Sequence, residues 1–232
     1  MERILMDCEK DQLSTFKTSV VEKTKQYAKS KLLEERTGHD WWHTYRVWKM
    51  ACKISETEEV DRFIVEIAAL LHDIADWKLH GGNTDISDQL ITAWLNTCDV
   101  QETDIINVKG IINSISFKGA KVAERQDLSL EAKVVQDADR LDAIGAIGIA
   151  RLFTYGGNFN RKIHDPNKEP ILHESSNEYL NSESTSINHF YEKLLLVKDR
   201  INTKTGRKLA KKRHEYLVNY LEEFFLEWEG ER

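Results

Sequence analysis

Hydrophobic residues recur along most of the chain at intervals of three and four, which is the spacing of one buried face of an α-helix. The first such run extends from Leu13 to Ala28, and its helix is expected to end near Gly38. Asp40 is the expected start of a second helix, whose inward face carries His43. Further helices are predicted over 60–71, 84–95, 102–117, 130–153, 185–200 and 206–228.

Glycines and prolines mark the interruptions of this helical pattern. Gly156 and Gly157 are expected to stop the helix that begins at 130, and the polar stretch over 158–183 holds both prolines. We expect this stretch to be an irregular surface insertion, either a lid over the site or an unstructured segment. With two prolines in 232 residues and no internal repeat, the sequence predicts an all-α protein. The predicted organisation is a single domain over 1–232, with a motif core at about 37–153 and C-terminal helices at about 185–230.

The composition excludes several classes of function. Lys and Arg number 33 against 39 Asp and Glu, a net charge of −6, so binding to nucleic acid is not expected. A basic run over 204–213 is balanced by nearby acids and is interpreted as a solvated helix face. The chain has no run of 18 apolar residues and no apolar leader, so neither a membrane span nor a signal peptide is expected.

Cysteine usage indicates a reducing compartment. The three cysteines, Cys8, Cys52 and Cys98, are odd in number and lack CxxC spacing. This pattern argues against a disulfide framework and against a thiolate zinc site. The expected location is therefore the cytoplasm, and the oligomeric state, monomer or homodimer, is left open.

Four polar side chains occupy positions where the helical pattern requires apolar ones. His43 and His72 lie on inward faces, Asp73 adjoins His72, and Asp139 leads a face of small residues. Two imidazoles and two carboxylates directed at one interior need partners, because an uncompensated buried charge is costly. One divalent cation satisfies all four, and nitrogen and oxygen donors without thiolate favour Mn, Fe, Zn, Ni or Mg. Taken singly, each residue is more often a hydrogen-bonded core residue than a ligand, so the prediction depends on their order and context.

The order of these residues resembles the HD-domain superfamily of metal-dependent phosphohydrolases, and in particular a small bacterial branch of it. The resemblance lies in the segments HTYRV at 43–47, AALLHDIAD at 68–76 and VVQDADRLD at 134–142. It implies an HD-type helical bundle around a metal site. By this resemblance the metal ligands are His43, His72, Asp73 and Asp139.

Three neighbouring aspartates compete for the last ligand position. The superfamily's final Asp commonly starts a D-x-x-D run, so the resemblance selects Asp139, which helical geometry alone does not. Asp142 is then expected to act behind the ligands. Asp137 is expected to begin the helix, with its side chain on free backbone N–H groups.

Catalysis is predicted to involve Asp76, Asp73 and Arg46. The resemblance places an acidic residue three positions after Asp73, where it handles the attacking water, and the alternative for Asp76 is an exposed loop residue. A bound divalent ion lowers the pKa of its water and polarises a phosphoryl oxygen. Arg46 lies one helical turn from His43 and is expected to meet phosphate charge. The predicted substrate-binding residues are Arg46, Lys78, His80, Lys118 and Arg140.

The number of metals follows from a departure from the superfamily pattern. Members with two or three metals carry additional histidines between the His-Asp pair and the last Asp, and here that stretch contains only His80. We therefore predict one divalent ion, with manganese expected and Mg, Fe, Ni, Zn or Co as alternatives. The expected substrates are small nucleotides, first of all nucleoside or deoxynucleoside triphosphates, with release of phosphate or pyrophosphate. The alternatives are a regulatory module that binds a nucleotide or a partner around a structural metal, and a hydrolase of another phosphate ester.

Overall fold

Helices account for most of the described structure. The computed structural model describes residues 2–33, 38–74, 84–115, 127–172 and 184–232, and the backbone alone of 2–10, 84 and 85. Its α-helices are α1 Glu2–Leu32, α2 Trp41–Ser55, α3 Arg62–Leu71, α4 Thr84–Thr97, α5 Glu102–Ser114, α6 Leu130–Asp142, α7 Gly145–Asn158, α8 Ser186–Glu192 and α9 Lys204–Trp228. A 3-10 helix at Leu194–Arg200 joins α8 to α9. No strand occurs in these ranges, so the predicted all-α class is confirmed.

Side-chain caps fix where several helices begin. Asp40 accepts a hydrogen bond from the backbone N–H of His43 at 2.8 Å, as expected for the start of α2. Asp61 caps α3 in the same way, and Ser129 caps α6. Thr203 caps α9, the longest helix of the C-terminal half. Each cap satisfies backbone donors that the first helical turn leaves without partners.

Helix α3 forms the centre of the hydrophobic core. Eight of its ten residues are buried, and it packs against α1, α2, α5 and α6. Helix α2 lies between α3 and α6 and buries the face that carries Val47, Ala51 and Ile54. Each fully buried aliphatic side chain of this kind stabilises the fold by roughly 1.5–3 kcal/mol. The two helices that lead to the predicted ligands are therefore held from several sides.

The predicted continuous helix over 130–153 is wrong, because the chain turns between α6 and α7. Ile144 is extended, with φ −128° and ψ 163°, and Gly145 adopts φ +78°, which glycine tolerates and other residues rarely do. Gly148 then allows close approach, since a Cβ there would meet the carbonyl oxygen of Ala143 at 2.3 Å. Gly156 and Gly157 lie inside α7 and do not stop it, because α7 continues to Asn158.

The chain after α7 runs over the surface without regular structure as far as residue 172, and residues 173–183 lie outside the described part. Backbone N–H groups of Ser186 and Ile187 donate to the carbonyls of Lys162 and Ile163, each at 2.9 Å. The predicted helix over 185–200 is divided at Lys193, where φ is −142°. Among the described helices, none combines the length and hydropathy that a membrane span requires.

Candidate metal centre

Three elements bring the predicted ligands to one place. Helix α2 directs His43 into the interior, where the residue has no solvent exposure. Helix α3 ends at Leu71, so His72 and Asp73 leave it at its inner end. Helix α6 contributes Asp139 from a face that is partly open, with 36% of its side chain exposed.

His43 lies close to each of the other three predicted ligands. The Nε2 atom of His43 is 3.3 Å from Nε2 of His72, 3.2 Å from Oδ2 of Asp73 and 3.4 Å from Oδ1 of Asp139. Nε2 of His72 is 3.3 Å from the same oxygen of Asp73. Two groups of three side chains that share His43 could each hold a metal ion, namely His43 with His72 and Asp139, and His43 with His39 and Asp73. Imidazole nitrogens and carboxylate oxygens are a donor set suited to a divalent cation.

The outer nitrogens of both imidazoles are fixed by hydrogen-bond acceptors. Nδ1 of His43 lies 2.7 Å from Oδ2 of Asp142, and Nδ1 of His72 lies 2.9 Å from the carbonyl oxygen of Ala69. An acceptor at Nδ1 places the proton there and leaves the Nε2 lone pair for a metal. The pairing of acceptor and ring on both histidines shows that the residues fit a bound ion.

The charges of the cluster are mutually compensated. Burial opposes the charged form of His43, but hydrogen bonds with Asp139, Asp142 and Asp73 raise its pKa to about 10. Burial raises the pKa of Asp139, but His43 and His72 outweigh burial and hold the pKa of this carboxyl well below its usual range. The rings and the carboxylates therefore compensate one another's charge, and a bound cation would supply the same compensation to the carboxylates.

Asp142 has the position behind the ligands that was expected of it. Its side chain is 5% exposed and accepts hydrogen bonds from His43, from Arg46 and from Arg151. Nε of Arg46 donates to Oδ1 at 2.7 Å and one Nη donates to Oδ2 at 3.0 Å. Burial raises the pKa of Asp142, but His43 and Arg46 outweigh burial and lower it. Arg46 thus has a well-defined partner in Asp142, and its predicted contact with phosphate is not tested by this geometry.

Sequence reasoning missed two residues at the site. Nδ1 of His39 lies 2.7 Å from Oδ2 of Asp73, so a third imidazole contacts this carboxylate. Arg151 of α7 reaches Asp142 from outside the recognised motifs. The available signals were weak: His39 precedes His43 by four positions, and Arg151 is a single charge in the apolar segment GAIGIARLF.

Asp137 has a different place from the one expected. It lies in the middle of α6, is completely buried, and accepts hydrogen bonds from the backbone N–H groups of Asn202 and Thr203 at 2.8 and 2.7 Å. The expectation that Asp137 begins the helix is wrong, because Ser129 is the cap. Asp137 instead anchors the start of α9 to α6.

The remaining predicted site residues differ in what the structure says of them. Arg140 is buried at 8% exposure and donates to the carbonyl oxygen of Arg200, so its position gives no support to a substrate-binding role. Arg140 follows Asp139 by about 100° around the helix, so the two side chains leave α6 in different directions. The others lie outside the described residues, namely Asp76, Lys78, His80 and Lys118.

Comparison with known proteins agrees with this geometry. The pattern of the HD domain matches residues 41–144. An uncharacterised protein of Bacillus subtilis, YpgQ, is 37% identical over 204 residues, which cover 86% of this chain and 89% of YpgQ. The chain belongs to the HD-domain family, and the resemblance inferred from the three motifs is confirmed.

Solved structures extend the comparison to the whole fold. A Lactobacillus plantarum protein has a TM-score of 0.80 at 36% identity, covering 91% of this chain and 98% of that one. An HD-superfamily hydrolase of Bacillus thuringiensis has a TM-score of 0.72 at 40% identity, covering 92% and 98%. YpgQ in complex with ADP has a TM-score of 0.69 at 35% identity, covering 88% and 95%. The protein is therefore an HD-superfamily hydrolase, of a class of metal-dependent phosphohydrolases.

Proposed function

We propose that the protein hydrolyses small nucleotides, first of all nucleoside or deoxynucleoside triphosphates, with one divalent ion, manganese, held by His43, His72, Asp73 and Asp139. The observation that carries the proposal is the convergence of these four side chains, with an acceptor behind each histidine. A nucleotide substrate is supported by the related YpgQ, whose structure contains ADP. Water adds to the phosphorus, and the products are phosphate and a nucleoside diphosphate, or pyrophosphate and a nucleoside monophosphate.

The protein's own residues supply the rest of the chemistry. When bound, the ion polarises a phosphoryl oxygen and makes its water acidic. Asp142 and the carbonyl of Ala69 keep both imidazoles oriented toward the ion. Asp139 is the most exposed of the ligands, so substrate is proposed to approach on its side. Asp76 is proposed to orient the attacking water and accept its proton.

A turnover assay tests the proposal. The protein is stripped with a chelator, and phosphate and pyrophosphate release is measured from nucleotides and sugar phosphates with manganese added back. We expect His72→Ala to lose both manganese binding and turnover. Asp76→Asn is expected to keep manganese and to lose roughly 10²–10⁴-fold in turnover, which is the range for a lost general base. Asp199→Asn is the matched control, because the side chain of Asp199 is 76% exposed.

The outcomes separate the alternatives. Turnover that needs manganese and disappears in His72→Ala supports the enzyme. Tight nucleotide binding without any product, in protein that has taken up the metal, contradicts it and supports a regulatory binding module. Turnover restricted to sugar phosphates contradicts the nucleotide preference alone.

A further inference from the structure

Arg151 links two parts of the candidate metal centre, the carboxylate of Asp142 and the backbone carbonyl of Gly38. Its side chain belongs to α7, outside the matched range 41–144. One Nη donates to Oδ2 of Asp142 at 2.7 Å, and the other Nη donates to the carbonyl oxygen of Gly38 at 2.7 Å. A guanidinium presents several donors in a fixed plane, so it can hold two acceptors at a set separation, which an ammonium group cannot.

The hydrogen bond from Arg151 to Asp142, called here its first arm, bears on the position of His43. Oδ2 of Asp142, the oxygen that Arg151 binds, is also the oxygen that lies 2.7 Å from Nδ1 of His43. Arg46 binds both oxygens of the same carboxylate from α2. The two arginines therefore hold Asp142 from two sides, and the orientation of the His43 ring depends on that carboxylate.

The hydrogen bond from Arg151 to the carbonyl of Gly38, its second arm, bears on the position of His39. Gly38 adopts φ +94°, and its carbonyl oxygen is directed to Arg151. The next residue, His39, lies 2.7 Å from Oδ2 of Asp73 through Nδ1. Fixing the carbonyl of Gly38 thus also fixes the imidazole that contacts Asp73.

We propose that Arg151 is a positioning residue that preorganises the metal centre through both arms at once. One arm orients His43 through Asp142, and the other orients Asp73 through Gly38 and His39. In the described structure the guanidinium binds Asp142 and Gly38 and not the four proposed ligands, so its effect is on the affinity of the site for the ion. This inference rests on the proposed ligand set.

Metal affinity of the chelator-stripped protein is the direct test. Manganese binding is titrated by calorimetry and by electron paramagnetic resonance for wild type, Arg151→Gln and Arg151→Lys. We expect Arg151→Gln to weaken binding roughly 10–100-fold, which is the range for lost outer partners of metal ligands. Arg151→Lys keeps the charge but reaches one acceptor, so an intermediate loss is expected.

Arg161→Gln is the matched control, because Arg161 lies over the ring of Tyr155 and has no contact with the ligands in the described structure. Its manganese affinity is expected to equal that of wild type. A spectroscopic readout accompanies the titration: the ¹⁵N resonance of Nδ1 in His43 should move in Arg151→Gln and stay in place in Arg161→Gln. A general loss of stability does not produce this pattern.

A double variant tests the second arm. If Arg151 acts partly through His39, the effects of His39→Gln and Arg151→Gln on manganese affinity are less than additive. Full additivity removes the second arm from the proposal. Manganese binding by Arg151→Gln within twofold of wild type overturns the proposal as a whole, and Arg151→Lys gives the same decision if Arg151→Gln does not fold. Failure of wild type itself to bind manganese instead contradicts the proposed ligand set.

Discussion

At the scale of single residues, the site shows how one oxygen can organise several groups. Oδ2 of Asp73 lies within 3.3 Å of ring nitrogens of His39, His43 and His72. Burial raises the pKa of Asp73, but interactions with His72, His39 and His43 lower it well below its ordinary value. The neighbouring rings thus favour the ionised form of this carboxylate, which is the form that binds a metal ion.

The reactivity of the Cys52 thiol, which is not part of the candidate metal centre, is predicted to depend on pH. Burial, reinforced by the carboxylate of Glu66, raises the pKa of the Cys52 thiol to about 11. The thiolate is the reactive form, so alkylation by iodoacetamide should be very slow at pH 7 and rise about tenfold per pH unit toward pH 10. Mass spectrometry of the Cys52 peptide measures the rate.

An unstructured cysteine peptide, with a pKa of about 8.5, is the control for the Cys52 experiment. Its alkylation rate should level off above pH 9, whereas the rate at Cys52 should still be rising there. A plateau for Cys52 near pH 9 would contradict the burial of this thiol.

At the scale of elements, α6 serves two purposes with aspartates two positions apart. Asp139 faces His43 in the candidate metal centre, whereas Asp137 accepts hydrogen bonds from Asn202 and Thr203 at the start of α9. Positions separated by two residues point about 200° apart around a helix, so the two side chains reach opposite sides.

This division predicts opposite effects of the same chemical change. Asp137→Asn places amide hydrogens against backbone donors, so it should lower the free energy of unfolding by roughly 1.5–3 kcal/mol, as measured by urea denaturation of metal-free protein. Its manganese affinity should stay close to that of wild type. Asp139→Asn should lose manganese binding. Loss of manganese binding in Asp137→Asn, in protein that is folded by circular dichroism, would assign the wrong aspartate to the site.

The helix boundaries show what a sequence reveals at this scale. Apolar spacing predicted α2 and α3 well, because their buried faces repeat every three or four residues and Asp40 is a cap. The turn between α6 and α7 was missed because small apolar residues continue through it. The backbone breaks there at Gly145, whose φ of +78° depends on packing that no spacing pattern records.

At the scale of the whole molecule, metal binding and folding are expected to be linked. An ion that binds the folded chain and not the unfolded chain raises the free energy of unfolding. The rise is about 2.7 kcal/mol when the free ion is at 100 times its Kd. For a chain of this size that corresponds to a rise in Tm of roughly 5–10 °C. Thermal unfolding with manganese and then with excess chelator measures the rise and its reversal. Asp139→Asn should show neither, and an equal rise in that variant would place the bound ion elsewhere.

The candidate site could be predicted from the sequence only in part. Motif order predicted His43, His72, Asp73 and Asp139, which the fold brings together from α2, α3 and α6. His39 and Arg151 could not be found in this way, because one lies in a turn and the other reaches the site from α7. Arg140 adjoins Asp139 but donates to the carbonyl oxygen of Arg200, and its role in substrate binding stays a prediction.

The hydrogen bonds of Asp137 bear on whether the residues that match the HD pattern could stand as a separate folded piece. The HD match ends at residue 144, yet the carboxylate of Asp137 within it has its partners at Asn202 and Thr203. An excised piece would lack these partners of Asp137, and the face of α6 that they cover would be exposed to water. The folded unit that supports the site is therefore longer than the stretch that matches the HD pattern. It extends at least to the start of α9.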